Sequence, residues 1–150
     1  MIDTHIKNIT PIPHLCLVRD NVSLPGNYKT NWLPVKDSCA LAKLSFDYEG
    51  KEITWKNDER IIKKIENNTF TQFNRDQEYE KSVVETLLNY QLIPIHTLYD
   101  LDRLNPKLSD YFLIDRNESD SLEFSIDILP ILRGLGWRID IADDYPHIVE

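Results

Sequence analysis

Two groups of residues in this chain have the types and spacing to do chemistry. Asp140, Asp143 and Asp144 lie at the end of an alternating stretch, WRIDI. Carboxylates gathered at a strand end are where a nuclease holds Mg2+, a hard cation that takes oxygen ligands and activates water. An acidic turn is the simpler reading, because no Lys or Glu partner is positioned beside them, so no residue is assigned to a metal. The second group is basic: Lys51, Lys56, Arg60, Lys63 and Lys64, with Trp55 among them. On strands these would form a phosphate-contacting face beside a stacking aromatic. Glu49, Glu52, Asp58, Glu59 and Glu66 interrupt the set almost one for one. Such mixed-charge strands also resist edge-to-edge pairing.

Other chemistries find no support. The chain has no GxxxxGK[ST], GxGxxG or GxSxG, and its four glycines leave little room for a phosphate-cradling loop. His5, His14, His96 and His147 are far apart in sequence and form neither HxxxH nor HExxH. Asp76, Glu78 and Glu80 open a helix, where the dipole accounts for them without catalysis.

The elements that must position these residues follow from periodicity. Residues 1–10 read as frayed or extended. HLCLVRD is a first strand, and residues 19–37 form a loop rich in Pro, Gly and Asn that tucks Trp32 and Leu33 onto the body. ALAKLSFDY is the clearest strand, with Leu44, Phe46 and Tyr48 on one side. Glu49-Gly50 turns it into KEITW, a hairpin signal, and ERIIKKIEN follows as a further strand that exits at Asn67-Asn68.

Residues 74–91 are a helix capped by Asn74. Tyr79, Val83, Leu87 and Tyr90 form its core stripe, and Glu80, Lys81 and Glu85 face water. LIPIHTLY begins a short strand spoiled by Pro94, residues 100–110 turn, YFLI is a strand, and residues 115–120 turn again. A helix over about 119–134 points Leu122, Ile126, Leu129 and Leu132 inward; at Pro130, which lacks a donor and clashes one turn back, it either kinks or restarts with Asp127 as N-cap and Pro130 in the first turn, the kinked helix being the expected form. It stops at Gly134 and Gly136. Trp137, Ile139 and Ile141 then alternate with Arg138 and Asp140 as the last strand, which Trp137 anchors to the core. Strands outnumber helices and cluster early. The expected class is α+β, an antiparallel or mixed sheet of five to six strands with two main helices on one face. It forms a single domain over 1–150, with 1–10 frayed, 11–142 as core and 143–150 as tail.

Composition bounds the rest. At 150 residues, 41% hydrophobic and 28% charged, the chain reads as one soluble domain. It contains no run long enough to span a membrane and no secretory signal, so a cytoplasmic setting and reduced Cys16 and Cys39 are expected. The net charge of −8 is uneven. Residues 1–75 hold 11 basic and 9 acidic residues (net +2), and 76–150 hold 6 and 16 (net −10). The acidic half would repel a phosphate backbone.

Three motifs, in this order, carry a resemblance. They are Ala42-x-Leu44-x-Phe46-x-Tyr48, Arg75-Asp76-x-x-x-Glu80, and Leu129-Pro130-x-Leu132 followed by Gly136-Trp137-x-Ile139. Together they resemble the region upstream of the ATPase lobes in bacterial Snf-type (chromatin-remodeller-like) DEAD/DEAH helicases, across about residues 11–142. The resemblance implies a non-catalytic accessory domain that positions or regulates the motor. Its partners would be the ATPase lobes of a parent chain, with DNA or RNA as a further candidate. It brings no catalytic residue to this segment and no cofactor, because ATP and Mg2+ would belong to the rest of such a helicase. The competing readings are a small metal-dependent nuclease built on the C-terminal carboxylates and a free-standing protein-binding module.

Overall fold

Alternation in ALAKLSFDY makes β3 (Cys39–Tyr48), the longest strand and the centre of the fold. Its even-numbered side chains, Ala40, Ala42, Leu44, Phe46 and Tyr48, are all buried. The computed structural model describes residues 3–20, 39–97, 110–114, 122–143 and 145. The expected loop with Trp32 and Leu33, the turns at 100–109 and 115–120, and Asp144 lie outside them.

The remaining strands and α-helices among the described residues are β1 (Asp3–Lys7), β2 (Ile12–Asp20), β4 (Lys51–Thr54), β5 (Ile61–Glu66), β6 (Thr69–Asn74), α1 (Gln77–Asn89), β7 (Ile93–Pro94), β8 (Tyr111–Leu113), α2 (Leu129–Gly134) and β9 (Arg138–Ile141). The fold is α+β. A six-stranded mixed sheet has the order β7-β8-β3-β2-β9, with β4 also paired to β3. β2 runs antiparallel to β3 and parallel to β9. Both helices send side chains into the same core as the inward face of β2 and β3: Val83 and Leu87 from α1, Leu129 and Leu132 from α2.

A second sheet, of order β1-β6-β5, was not expected. The N-terminal stretch is extended and paired in parallel with β6 rather than frayed. Asn67-Asn68 is no exit but a tight turn into β6, both residues having positive φ (49° and 62°) as the twist of a two-residue hairpin requires. β6 escapes a periodicity reading because Phe70 and Phe73 are three apart. They point to opposite faces, and only Phe73 enters the core, beside Ile62. The C-terminal stretch is also more than a tail, because Tyr145 is buried and its hydroxyl lies 2.9 Å from Ser125 Oγ.

Three expectations for the helices need correction. Asn74 is the last residue of β6, and Asp76 caps α1 by accepting from the Tyr79 amide at 3.1 Å. Glu80 does not face water. It is buried with Arg75, as described below. Leu122 and Ile126 point outward, being 44% and 58% exposed, while Phe124 and Ser125 are buried. The cause is a π turn over Phe124–Ile128, in which Leu129 donates to the Phe124 carbonyl. One extra residue per turn rotates everything upstream out of the phase that an unbroken α-helix would give. The turn ends immediately before Pro130, whose missing donor and ring would disrupt an α register there.

Both helices stop in the same way. The Trp137 amide donates to the Leu132 carbonyl and the Gly136 amide to Arg133, with Gly136 at φ 90°. The Leu92 amide donates to Leu87 and the Gln91 amide to Leu88, with Gln91 at φ 69°. This left-handed closure delivers Trp137 and Leu92 into the core directly after the helix. Gln91 occupies the position that glycine fills in the other helix. Gln91→Gly is therefore expected to stabilise the domain by about 1 kcal/mol in urea unfolding, by removing the Cβ strain of the left-handed region. Unchanged or lower stability would count against strain at this position.

Candidate functional site

The basic residues of β4 and β5 divide in the structure. Lys51 and Lys63 line one shallow cleft of about 510 Å3, together with Glu52 and Glu59. Lys64, next along the strand, projects to the other face. Its Nζ donates to the Glu49 carbonyl at 3.0 Å and lies 3.2 Å from Glu66. Trp55 is half-buried. Its indole N–H donates to the Asp110 carbonyl at 2.8 Å, and its ring packs 4.8 Å from that of Phe112. Lys56 Nζ lies 6.0 Å from the Trp55 ring centroid, and Arg60 is exposed just before β5. The structure thus joins Lys51 to Lys63 and Lys56 to Trp55, and it turns Lys64 away.

The carboxylates meet a residue that spacing did not bring near them. Strand register sets His14 of β2 between Arg138 of β9 and Ser45 of β3. His14 Nε2 lies 2.5 Å from Asp140, and its Nδ1 contacts Glu52 of β4. Ser45 Oγ donates to Glu52 at 2.7 Å. Arg138 bridges Asp47 at 3.1 Å and Glu52 at 3.3 Å. This polar ladder crosses four strands on the face opposite the core. A carboxylate contacts each ring nitrogen of His14, so the arrangement ties β2 to β4 and β9. Among the described residues, no three His, Cys, Asp or Glu side chains converge where a metal ion could sit. Asp143 is exposed. Partners 38 and 126 residues from His14 explain why sequence spacing missed the ladder. The polar alternation of β2 and β3 was the available signal.

A third cluster is buried. Arg75 grips Glu80 through two bonds, Nε to Oε2 at 3.0 Å and Nη2 to Oε1 at 2.5 Å. Its Nη1 donates to the carbonyls of Asn57 and of Glu59, the latter at 2.7 Å. The Tyr48 hydroxyl donates to Glu80 at 2.5 Å and accepts from the Asp76 amide at 2.9 Å. Burial, then the Glu80 bond, pushes the Tyr48 hydroxyl well above its ordinary range, so it stays a neutral donor. The guanidinium and carboxylate are 5% and 8% exposed. Removing one partner from such a pair typically costs ~3–5 kcal/mol, because the other charge is left buried.

The hydrophobic core and the buried cluster account for the motif residues. Ala42, Leu44, Phe46 and Tyr48 are core, Arg75 and Glu80 are the buried pair, Asp76 is the helix cap, and Leu129, Leu132 and Trp137 are core. No family model, curated protein or solved structure matches the chain. No helix among the described residues is long and apolar enough to cross a membrane.

The polar ladder has a pH signature. Burial pulls the Glu52 carboxyl upward, but the hydrogen bonds from Ser45 and His14 and the charge of Arg138 outweigh it, so Glu52 titrates below its ordinary 4.5. A carboxylate depressed in the folded state adds stability that is complete above about pH 4.5 and is lost as pH falls through the lower folded value. Urea melts across the acid range should show wild type losing more stability than Glu52→Gln. Parallel curves would show that Glu52 contributes nothing to acid stability.

Proposed function

We propose that this chain is a non-catalytic accessory domain of the kind found upstream of the ATPase lobes in Snf-type helicases, working in the cytoplasm through surface contacts. One observation carries the reading. Two of the three motifs behind the resemblance meet in a single node, Tyr48 with Asp76 and Glu80. Residues that recur because they lock a scaffold together fit a domain whose task is to be held in a defined shape beside a motor. The outer face of the small sheet offers a surface for that contact, with Ile6 and Ile65 64% and 73% exposed and Lys63 between Ile61 and Ile65 on β5. Apolar side chains grouped on one exposed face are a feature of interaction surfaces. The Lys51–Lys63 cleft is the best-placed part of the basic set for a nucleic-acid strand.

The test is to titrate the domain into the ATPase lobes of a bacterial Snf-type helicase, with and without duplex DNA, and to follow ATP hydrolysis. The expected result is saturable binding and a changed DNA-stimulated rate, both lost in Ile65→Asp. No binding to the lobes, or Mg2+-dependent cleavage of labelled DNA or RNA by the domain alone, would overturn the reading.

A further inference from the structure

β4 and β5 each pair on one side only, with β3 and with β6. Register fixes which backbone groups lie along their open edges. A two-residue hairpin closes on a hydrogen-bonded pair, here Tyr48–Lys51 and Glu66–Thr69. The other ends of the strands are in the same phase, the Trp55 amide donating to Leu44 and the Arg75 amide to Arg60. Backbone groups alternate sides along an antiparallel strand. Ile53 therefore turns its amide and carbonyl to β3, and Ile62 and Lys64 turn theirs to β6. Glu52 and Thr54 on β4, and Ile61, Lys63 and Ile65 on β5, turn theirs to the open edges. The Thr54 carbonyl accepts from the Asn57 amide. The other open-edge backbone groups have no hydrogen-bond partner among the described residues.

Both strands line the same cleft of about 510 Å3, Glu52 and Thr54 from β4, Ile61 and Lys63 from β5. Its walls therefore carry donors and acceptors in alternation at the spacing of a strand, which is the template that another extended backbone completes. The charges narrow the choice further. Lys51 and Lys63 are exposed and make no ion pair with a described residue. The Glu52 carboxylate is already engaged by Ser45, His14 and Arg138. Among the described residues of the cleft this leaves Glu59 as the one uncompensated anion against two lysines. Charge alone would serve a nucleic acid equally well. The backbone walls separate the two, because phosphates offer acceptors but no row of donors for the Ile61 and Lys63 carbonyls.

We infer that this cleft binds an extended, acidic peptide segment of a partner protein, which adds to the edge of β5 as a further strand. Main-chain bonds to Ile61 and Lys63 hold the segment, and Glu52 bounds it on the β4 side. Successive side chains of a strand point to opposite faces. Acidic side chains of the segment therefore meet the lysines, and the apolar ones between them lie against Ile53 and Ile61, which are half-buried and 41% exposed. The four residues of β4 match roughly 13 Å of added strand. The inference does not rest on the helicase resemblance, since any partner that exposes such a segment would serve.

Nuclear magnetic resonance titration of the whole chain with a capped peptide of alternating Glu and Val tests it. Saturable shifts and slowed hydrogen exchange are expected at the Glu52, Ile61 and Lys63 amides. Ile61→Pro removes one outward donor and no bond to β6, a change tolerated at the first residue of an edge strand. It is expected to weaken binding about fivefold with an unchanged circular dichroism spectrum. Lys63→Glu is expected to weaken it about tenfold. The same peptide N-methylated throughout keeps its charge, loses its donors and is expected not to bind. No binding of the unmodified peptide at millimolar concentration, equal binding of the methylated one, or tighter binding of oligothymidylate at the same amides would each overturn the inference.

Discussion

A buried charge pair constrains this fold more than any other contact. Arg75 and Glu80 lie where water cannot solvate them, so every donor and acceptor they carry needs a partner in the protein. The partners come from separate parts of the chain. Tyr48 ends the central strand of the large sheet, the carbonyls of Asn57 and Glu59 belong to the connection toward β5, and Glu80 itself sits in the first turns of α1. Satisfying one guanidinium thus fixes the large sheet, the entry to the small sheet and the helix relative to one another. Packing follows the same junction, with Phe73 of the small sheet 6.2 Å from the Tyr48 ring.

The second constraint is one of phase. Pro130 and the π turn before it decide which side chains of the last helix meet the core and which meet solvent. Downstream the consequences are structural: Leu132 and Gly136 close the helix and deliver Trp137 to the core. Upstream they are surface properties. The extra residue in the hydrogen-bond register places Leu122 and Ile126 in solvent and Phe124 and Ser125 in the core.

Local pattern was the readable part of the sequence. Strict alternation identified β3, a polar-Gly pair identified its hairpin, and a 3.6-residue stripe with Val83 and Leu87 identified α1. The elements that failed did so for physical reasons. β6 has no apolar alternation because only Phe73 packs inward, and β1 is extended by pairing with a strand 66 residues away. Glu80 looked like an outward helix residue because its burial depends on Arg75 and Tyr48, a tertiary fact. The same holds for the site residues. Lys63 and Lys64 are adjacent in sequence but alternate across the sheet. His14 seemed isolated because its carboxylate partners lie on other strands. Periodicity reports which face a residue takes within its own element, and partnership across elements is decided by register.

The claim on which the account depends is that Tyr48 and the Arg75–Glu80 pair act as one unit. A double-mutant cycle in urea, with Tyr48→Phe, Glu80→Gln and the pair, measures it. The account predicts a coupling of about 1.5–3 kcal/mol, the scale of a hydrogen bond to a charged group. Single-mutant effects that add to within about 0.5 kcal/mol would contradict it, because the hydroxyl and the carboxylate would then be independent neighbours.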